Sequence, residues 1–330
     1  MKIKPWLGIV VSLICGFIGI FILFRISEPI KFVNINILWL FVSVVIFLIW
    51  WSSDSFSLKV IADGLKIKLT FLESLKIIYS SFFFGAVTPF NSGMIPAEIF
   101  FLKIKGAGLC SALPTVMMKA LINGILRGIL AIILGLYFYK TLGSIIGKVM
   151  LSILLMYGVI VFSTYIVIIN QSKTSYKIRI LIVKIIDFIG SKLRFLRKIT
   201  NSLSSSILNG PENMSLLLKN PSWLPKAILF ALLVWVSQIT LPYFILRSIN
   251  INSDFFNVFI AQASFYLLQP YMPTPGGSGI AELSFGYLSS SIIGITPALF
   301  TFLWRFFSFY LPSIIGAVLM IPNIRKIDKF

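Results

Sequence analysis

Residues 268–282 read Leu268-Gln269-Pro270-Tyr271-Met272-Pro273-Thr274-Pro275-Gly276-Gly277-Ser278-Gly279-Ile280-Ala281-Glu282. The sequence on either side is apolar, over residues 256–267 and 283–293. A straight helix cannot run through three prolines and three glycines so closely spaced, because each proline ring removes an N–H and clashes with the turn before it. The flanking pieces, about 10 to 15 residues each, are too short to cross roughly 30 Å of hydrocarbon alone. Backbone freed by such a break survives at membrane depth only where it is buried in protein or lines a cavity. Residues 256–293 therefore read as a re-entrant helical hairpin, or equivalently a broken helix.

The first half of the chain holds a counterpart. Residues 77–102 are apolar but interrupted by Thr88-Pro89-Phe90-Asn91-Ser92-Gly93, which reaches Ala97-Glu98 shortly after. Thr274-Pro275-Gly276-Gly277-Ser278-Gly279, followed by Ala281-Glu282, has the same T-P-x-x-S-G pattern and then A-E. Each break precedes a long apolar segment bearing a basic residue at matched spacing, Lys119 in the first and Arg305 in the second. The spacing from threonine to cation is 31 residues in both. Motif, context and spacing together predict an internal repeat.

Composition places these breaks in a bilayer. The chain is 58% hydrophobic and 12% charged, with a mean hydropathy of +0.98, whereas soluble domains carry roughly 25% charged residues. Further long apolar segments cover residues 6–24, 37–51, 113–139, 149–169, 223–246 and 297–321. The first follows Lys2 and Lys4 but is too long for a signal peptide and shows no small-residue cleavage site before Arg25, so it reads as a retained helix. The net charge of +19 would suggest nucleic acid in a soluble protein; here basic cytoplasmic loops beside anionic lipid account for it, and no nucleic-acid partner is expected. The chain has no histidine and only Cys15 and Cys110, which removes the commonest general base and argues against a disulfide, a metal site or a cofactor.

Charge distribution sets the topology. With a cytoplasmic N-terminus, six full spans and each hairpin returning to its own side, 21 Lys and Arg fall inside, five outside and three within spans. That asymmetry predicts both termini inside a cytoplasmic membrane. The first hairpin then enters from inside and the second from outside, which makes the halves inverted repeats about an axis in the membrane plane. Residues 172–209 are too polar to span. Ile178, Leu181, Ile182, Ile185, Ile186 and Ile189 recur there near helical spacing among eight basic residues, as in an amphipathic helix on the cytoplasmic leaflet. It serves either as a plain connector between halves or as a reader of anionic head groups. Trp50, Trp51 and Trp223 stand at span ends, where interfacial anchors are expected.

Glu98, Lys119, Arg127, Glu282 and Arg305 lie in apolar surroundings. Each costs at least about 2.5 kcal/mol at a helix centre, so each should be paired or should face a cavity. One reading is two internal ion pairs, Glu98 with Lys119 and Glu282 with Arg305. The other makes the basic side chains a site for a phosphate-bearing head group, to which arginine offers bidentate contact. The two are compatible, since a pair that opens can exchange a carboxylate for a phosphate. Asn91, Asn123 and Gln269 could add neutral hydrogen bonds, and Arg127 can snorkel to an interface.

The segment 273–282, then Leu303-Trp304-Arg305-Phe306 and Tyr310-Leu311-Pro312, resembles the lysylphosphatidylglycerol synthase transmembrane-region family, also described as flippase-like membrane proteins. On that pattern Pro275, Gly276, Gly277, Gly279, Glu282 and Arg305 carry over. The first half departs from it: Lys103 follows Pro96-Ala97-Glu98, and Met118-Lys119 stands where the family shows a charged pair. Some relatives carry a cytosolic aminoacyltransferase domain; this chain ends at Phe330, so the resemblance implies the membrane half alone.

The expectation is an all-α polytopic membrane protein, one domain over residues 1–330, with about six spans and two re-entrant hairpins. The first repeat covers about 37–139, the connector about 172–209 and the second repeat about 223–321. The expected function is movement of an anionic phospholipid or polyprenyl-phosphate-type lipid through a midplane site of Glu98, Lys119, Glu282 and Arg305, helped by Asn91, Asn123 and Gln269. The hairpin backbones, Thr88, Pro89, Ser92 and Gly93 with 274–279, shape it. Membrane lipids are the expected partners. An intramembrane enzyme using Glu98 or Glu282 on a lipid phosphate, or a non-catalytic subunit anchoring a soluble enzyme, are the alternatives.

Overall fold

The computed structural model describes residues 34–142, 221–290 and 298–327, with the isolated positions Phe21, Arg25, Gly158, Ile180, Leu181, Lys184, Leu217 and Lys219. Apart from those positions, the expected helix at 6–24, the span at 149–169 and the basic connector at 172–209 lie outside the described residues. Within them, the regular structure is helical and contains no strand. The helices are α1 (Ile37–Gly64), α2 (Phe71–Ala86), α3 (Met94–Ile104), α4 (Leu109–Leu142), α5 (Leu224–Ser248), α6 (Phe255–Leu268), α7 (Ile280–Leu288), α8 (Ala298–Arg305) and α9 (Leu311–Ile327). Among the described residues, four stretches are long and apolar enough to cross a membrane: Ile37–Gly64, Leu109–Tyr137, Pro221–Ser248 and Ala298–Met320. They overlap the four apolar segments expected within the described residues.

Where the apolar run of α1 stops at Trp51, the helix does not. It continues to Gly64, supported on its last turns by an ion pair from Lys59 to Asp63 at 2.6 Å. This corrects the reading of the tryptophans as interfacial anchors. Trp50 and Trp51 are 6% and 2% exposed, and Trp51 stacks on Tyr79 of α2 at 4.4 Å. Trp223 is 5% exposed, its Nε1–H donated to the Leu217 carbonyl at 2.9 Å. A span end judged from hydropathy marks the first polar residue, whereas packing is set by the helix that carries on past it.

Contacts divide the chain into two units, one taking residues up to Ser55, Leu75–Glu98 and Leu232 onward, the other Phe56–Ser74 and Ile99–Ala231. In the first, Phe265 of α6, Phe285 of α7 and Trp304 of α8 are at most 1% exposed. Trp304 stacks on Phe285 at 4.0 Å and meets Phe265 edge-on at 4.8 Å, geometries that aromatic quadrupoles favour. α9 comes against α2 so closely that a Cβ on Gly316 would lie 2.1 Å from the Tyr79 carbonyl oxygen, the small-residue approach common between membrane helices.

The second unit packs Ile61, Met118, Ile122, Leu217, Trp223, Ala227 and Ala231 into one core. α2 begins here with a capping box: the Thr70 hydroxyl accepts the Glu73 N–H at 3.2 Å, and Glu73 accepts the Thr70 N–H at 3.0 Å. Lys105 donates to the same carboxylate at 2.8 Å. Glu73 lies outside the four spans, and the Lys105 bond first, then the Thr70 N–H, hold its carboxyl down to about 2. A depressed carboxyl contributes stability that is present above its unfolded value and lost as pH falls through the folded one. The thermal midpoint of the wild type should therefore fall faster than that of Glu73→Gln between about pH 4.5 and pH 2. The difference should be small, since Lys105 and Glu73 are 37% and 31% exposed. Parallel midpoints would refute the linkage.

Candidate polar site at the two helix breaks

Both breaks are built on the same turn. In the first, the Ser92 N–H donates to the Pro89 carbonyl at 3.0 Å, with φ of +55° at Phe90 and +53° at Asn91. In the second, the Ser278 N–H donates to the Pro275 carbonyl at 3.1 Å, with φ of +59° at Gly276 and +69° at Gly277. Positive φ at both central residues is the signature of a type I′ turn. Glycine takes that conformation freely and asparagine tolerates it; Phe90 does not, at about 1–2 kcal/mol.

The two turns touch. Pro89 and Pro275 form an antiparallel bridge, and the Gly276 N–H donates to the Thr88 carbonyl at 3.4 Å. A Cβ on Gly276 would lie 2.9 Å from the Ala86 carbonyl and 2.3 Å from the Phe309 ring. No side chain fits there without displacing its neighbours, which accounts for glycine at this position beyond its φ.

Behind the second turn the helix start is capped by its own carboxylate. Glu282, the third residue of α7, accepts the Gly279 N–H on Oε2 at 2.6 Å. Its Oε1 accepts from Arg305 Nε at 2.8 Å and from the Tyr310 hydroxyl at 3.1 Å. Arg305 also donates through Nη2 to the Gly276 carbonyl at 2.8 Å, and its guanidinium lies 4.0 Å over the Phe309 ring. Arg305 and Glu282 are 2% and 0% exposed. Arg305 thus fastens the turn and the start of α7 at once. A charge this deep is tolerated because it has an opposite charge, a carbonyl and an aromatic face.

The sequence matches the lysylphosphatidylglycerol synthase TM region family over residues 5–316. The chain belongs to that family. It is similar to a UPF0104 membrane protein of Archaeoglobus fulgidus, 22% identical over 289 residues and 86% of each chain. A UPF0104 membrane protein of Pyrococcus horikoshii is 23% identical over 301 residues, 89% of this chain and 88% of that one. No solved structure matches at a significant level. With its apolar helices, family membership makes this an integral membrane protein, and the motif that carries the family resemblance is the one folded around Glu282 and Arg305.

Tyr310 and Phe309 were not among the candidate site residues. Positions five apart point roughly 140° away from each other on an α-helix, so nothing in the spacing joins Tyr310 to Arg305. The structure joins them through a π-helical turn over Phe306–Tyr310, whose wider ring stacks residue i on i+5, a local form frequent at functional sites. Tyr310-Leu311-Pro312, part of the stretch that carries the family resemblance, was the available signal.

The remaining candidates are placed as follows. Glu98 on α3 and Lys119 on α4 are 3% and 5% exposed and fall in different units. Glu98 is the fifth residue of its helix, with Pro96 at the third, so it does not occupy the capping position that Glu282 holds. Asn123 donates to the Lys119 carbonyl one turn back at 2.9 Å. Asn91 is half-buried in the first turn, its carbonyl accepting the Met94 N–H at 3.2 Å. Gln269 is half-buried and caps the end of α6 through its backbone. Thr274 Oγ1, Ser308 Oγ and Trp304 Nε1 are buried and have no hydrogen-bond partner among the described residues. Among the described residues, no group of three His, Cys, Asp or Glu gathers to hold a metal.

Proposed function

We propose that the protein is a flippase-like carrier of an anionic phospholipid or a polyprenyl-phosphate-type lipid. The head group's phosphate engages Arg305, while the acyl chains stay in the bilayer between helices. The observation that carries this reading is the buried network of Glu282, Arg305 and Tyr310 where the two helix breaks meet. An ion pair alone would need none of the broken backbone around it, and broken helices meeting in this way bind substrate or ion in transporters built from inverted repeats. Arg305 can release Glu282 to a phosphate because both are acceptors for the same planar fork. Six spans, two hairpins entering from opposite sides, an inverted repeat and cytoplasmic termini complete the proposal. The matched turns and the antiparallel Pro89–Pro275 bridge support it. Lys119 and Asn123 enter as a further polar position on the strength of the repeat spacing.

Native mass spectrometry of the gently solubilised protein tests this. Wild type should retain a phospholipid or polyprenyl phosphate that Arg305→Gln loses, while both express equally. Equal, nonspecific lipid in the two would make the buried charges a structural pair and put the partner-subunit reading ahead.

A further inference from the structure

Thr88 and Thr274 hold the same place in the two T-P-x-x-S-G motifs, but their hydroxyls end differently. Thr88 Oγ1 donates to the Phe84 carbonyl at 2.8 Å and accepts the Gly93 N–H at 2.8 Å. Thr274 Oγ1 is buried with no hydrogen-bond partner among the described residues. Two features explain the difference. α2 runs to Ala86 and so presents a helical carbonyl four residues before Thr88. α6 ends at Leu268 and tightens into a 3-10 turn over Gln269–Tyr271, after which Met272 is already extended (ψ 116°), so no α-helical turn leads into Thr274. In addition, the Gly279 N–H, equivalent to that of Gly93, is taken by Glu282 at 2.6 Å. Glu98 stands two residues further into its helix and leaves the Gly93 N–H to Thr88.

A buried hydroxyl without a partner costs about 1–3 kcal/mol, a cost that a ligand oxygen accepting from Thr274 would offset. A second donor reaches the same turn. Arg305 uses Nε on Glu282 and Nη2 on the Gly276 carbonyl, two residues from Thr274. Its Nη1 takes part in neither of these bonds.

We propose that the Thr274 hydroxyl is a ligand-contacting group which, with Arg305 Nη1, binds a phosphate oxygen. The second break is then the binding side, and Thr88 is its structural counterpart. This rests on the lipid-carrier reading and deepens it by naming the residue that meets the head group.

The test uses the full chain in detergent and compares wild type, Thr274→Val, Thr274→Ser, Thr88→Val and Arg305→Gln. Thermal midpoints are read alone, with phosphatidylglycerol and with inorganic phosphate. Without ligand, Thr88→Val should lower the midpoint, because it strands the Gly93 N–H, while Thr274→Val should leave it unchanged or raise it. With phosphatidylglycerol, Thr274→Val should bind about tenfold more weakly, as for loss of one hydrogen bond to a charged group, and Thr274→Ser should bind as wild type does. A Thr274-dependent shift with inorganic phosphate as well would show that the phosphate alone is recognised; a shift only with the lipid would show that the whole lipid is. If Thr274→Val keeps full affinity while Arg305→Gln loses it, this proposal falls and the carrier reading stands. If Thr274→Val destabilises the protein without ligand as much as Thr88→Val does, the hydroxyl is structural and the proposal also falls. If wild type binds neither ligand, both fall together.

Discussion

Replacing Glu282 with alanine is expected to destabilise the solubilised protein by about 3–5 kcal/mol, the usual cost of removing one partner from a buried ion pair. Three donors lose their acceptor at once: the Gly279 N–H, Arg305 Nε and the Tyr310 hydroxyl. Arg305, 2% exposed, would be left as a buried cation held by the Gly276 carbonyl and the Phe309 and Trp304 rings. Replacing both charges with apolar residues of similar volume should be far milder, since a buried pair contributes little net stability against a well-packed apolar pair. Glu282→Leu with Arg305→Met should therefore recover the part of the lost midpoint owed to the stranded cation, with the Gly279 N–H and Tyr310 hydroxyl still unpaired, yet retain no phosphate-bearing lipid. Thermal unfolding with bound-lipid analysis reads both quantities. A double variant that regained stability and still held the lipid would remove the pair from any role in binding.

The second large effect falls on equivalent positions of the two turns and has opposite signs. Gly276→Ala puts a Cβ 2.3 Å from the Phe309 ring and 2.9 Å from the Ala86 carbonyl, at a φ of +59°. Left-handed strain of about 1–2 kcal/mol then adds to overpacking of about 1–3 kcal/mol. Phe309 carries the guanidinium on its face, so displacing it should also weaken lipid retention. Phe90→Gly, at φ +55° and on a side chain 53% exposed, relieves the same strain and gives up little packing. It should raise stability by up to about 1 kcal/mol. If both substitutions destabilise alike, the two turns do not share the conformation argued for them.

Much of this was legible in advance because its causes are local. Thr-Pro-x-x-Ser-Gly stops a helix wherever it stands, and the structure breaks at both copies, between Ala86 and Met94 and between Leu268 and Ile280. The pairing of Glu282 with Arg305 was one of the two readings that the cost of a lone charge in an apolar setting allowed. Other features were hidden for equally physical reasons. Tyr310 joins Glu282 only through a π-helical turn, which alters the phase of side chains without marking the sequence. Glu98 looked like the twin of Glu282, yet two residues of offset take it from the capping position to mid-helix.

The sequence by itself determined that the chain is an integral membrane protein, where its helices break and which charges lie in apolar surroundings. Each of these is decided by transfer energies and backbone sterics within a few residues. Only the tertiary structure decided that the two turns meet at Pro89 and Pro275, that Arg305 reaches back to Gly276, and that Trp50 and Trp51 are core rather than anchors. Those outcomes depend on which helix faces come together in space, and they are settled by packing between residues tens to hundreds of positions apart.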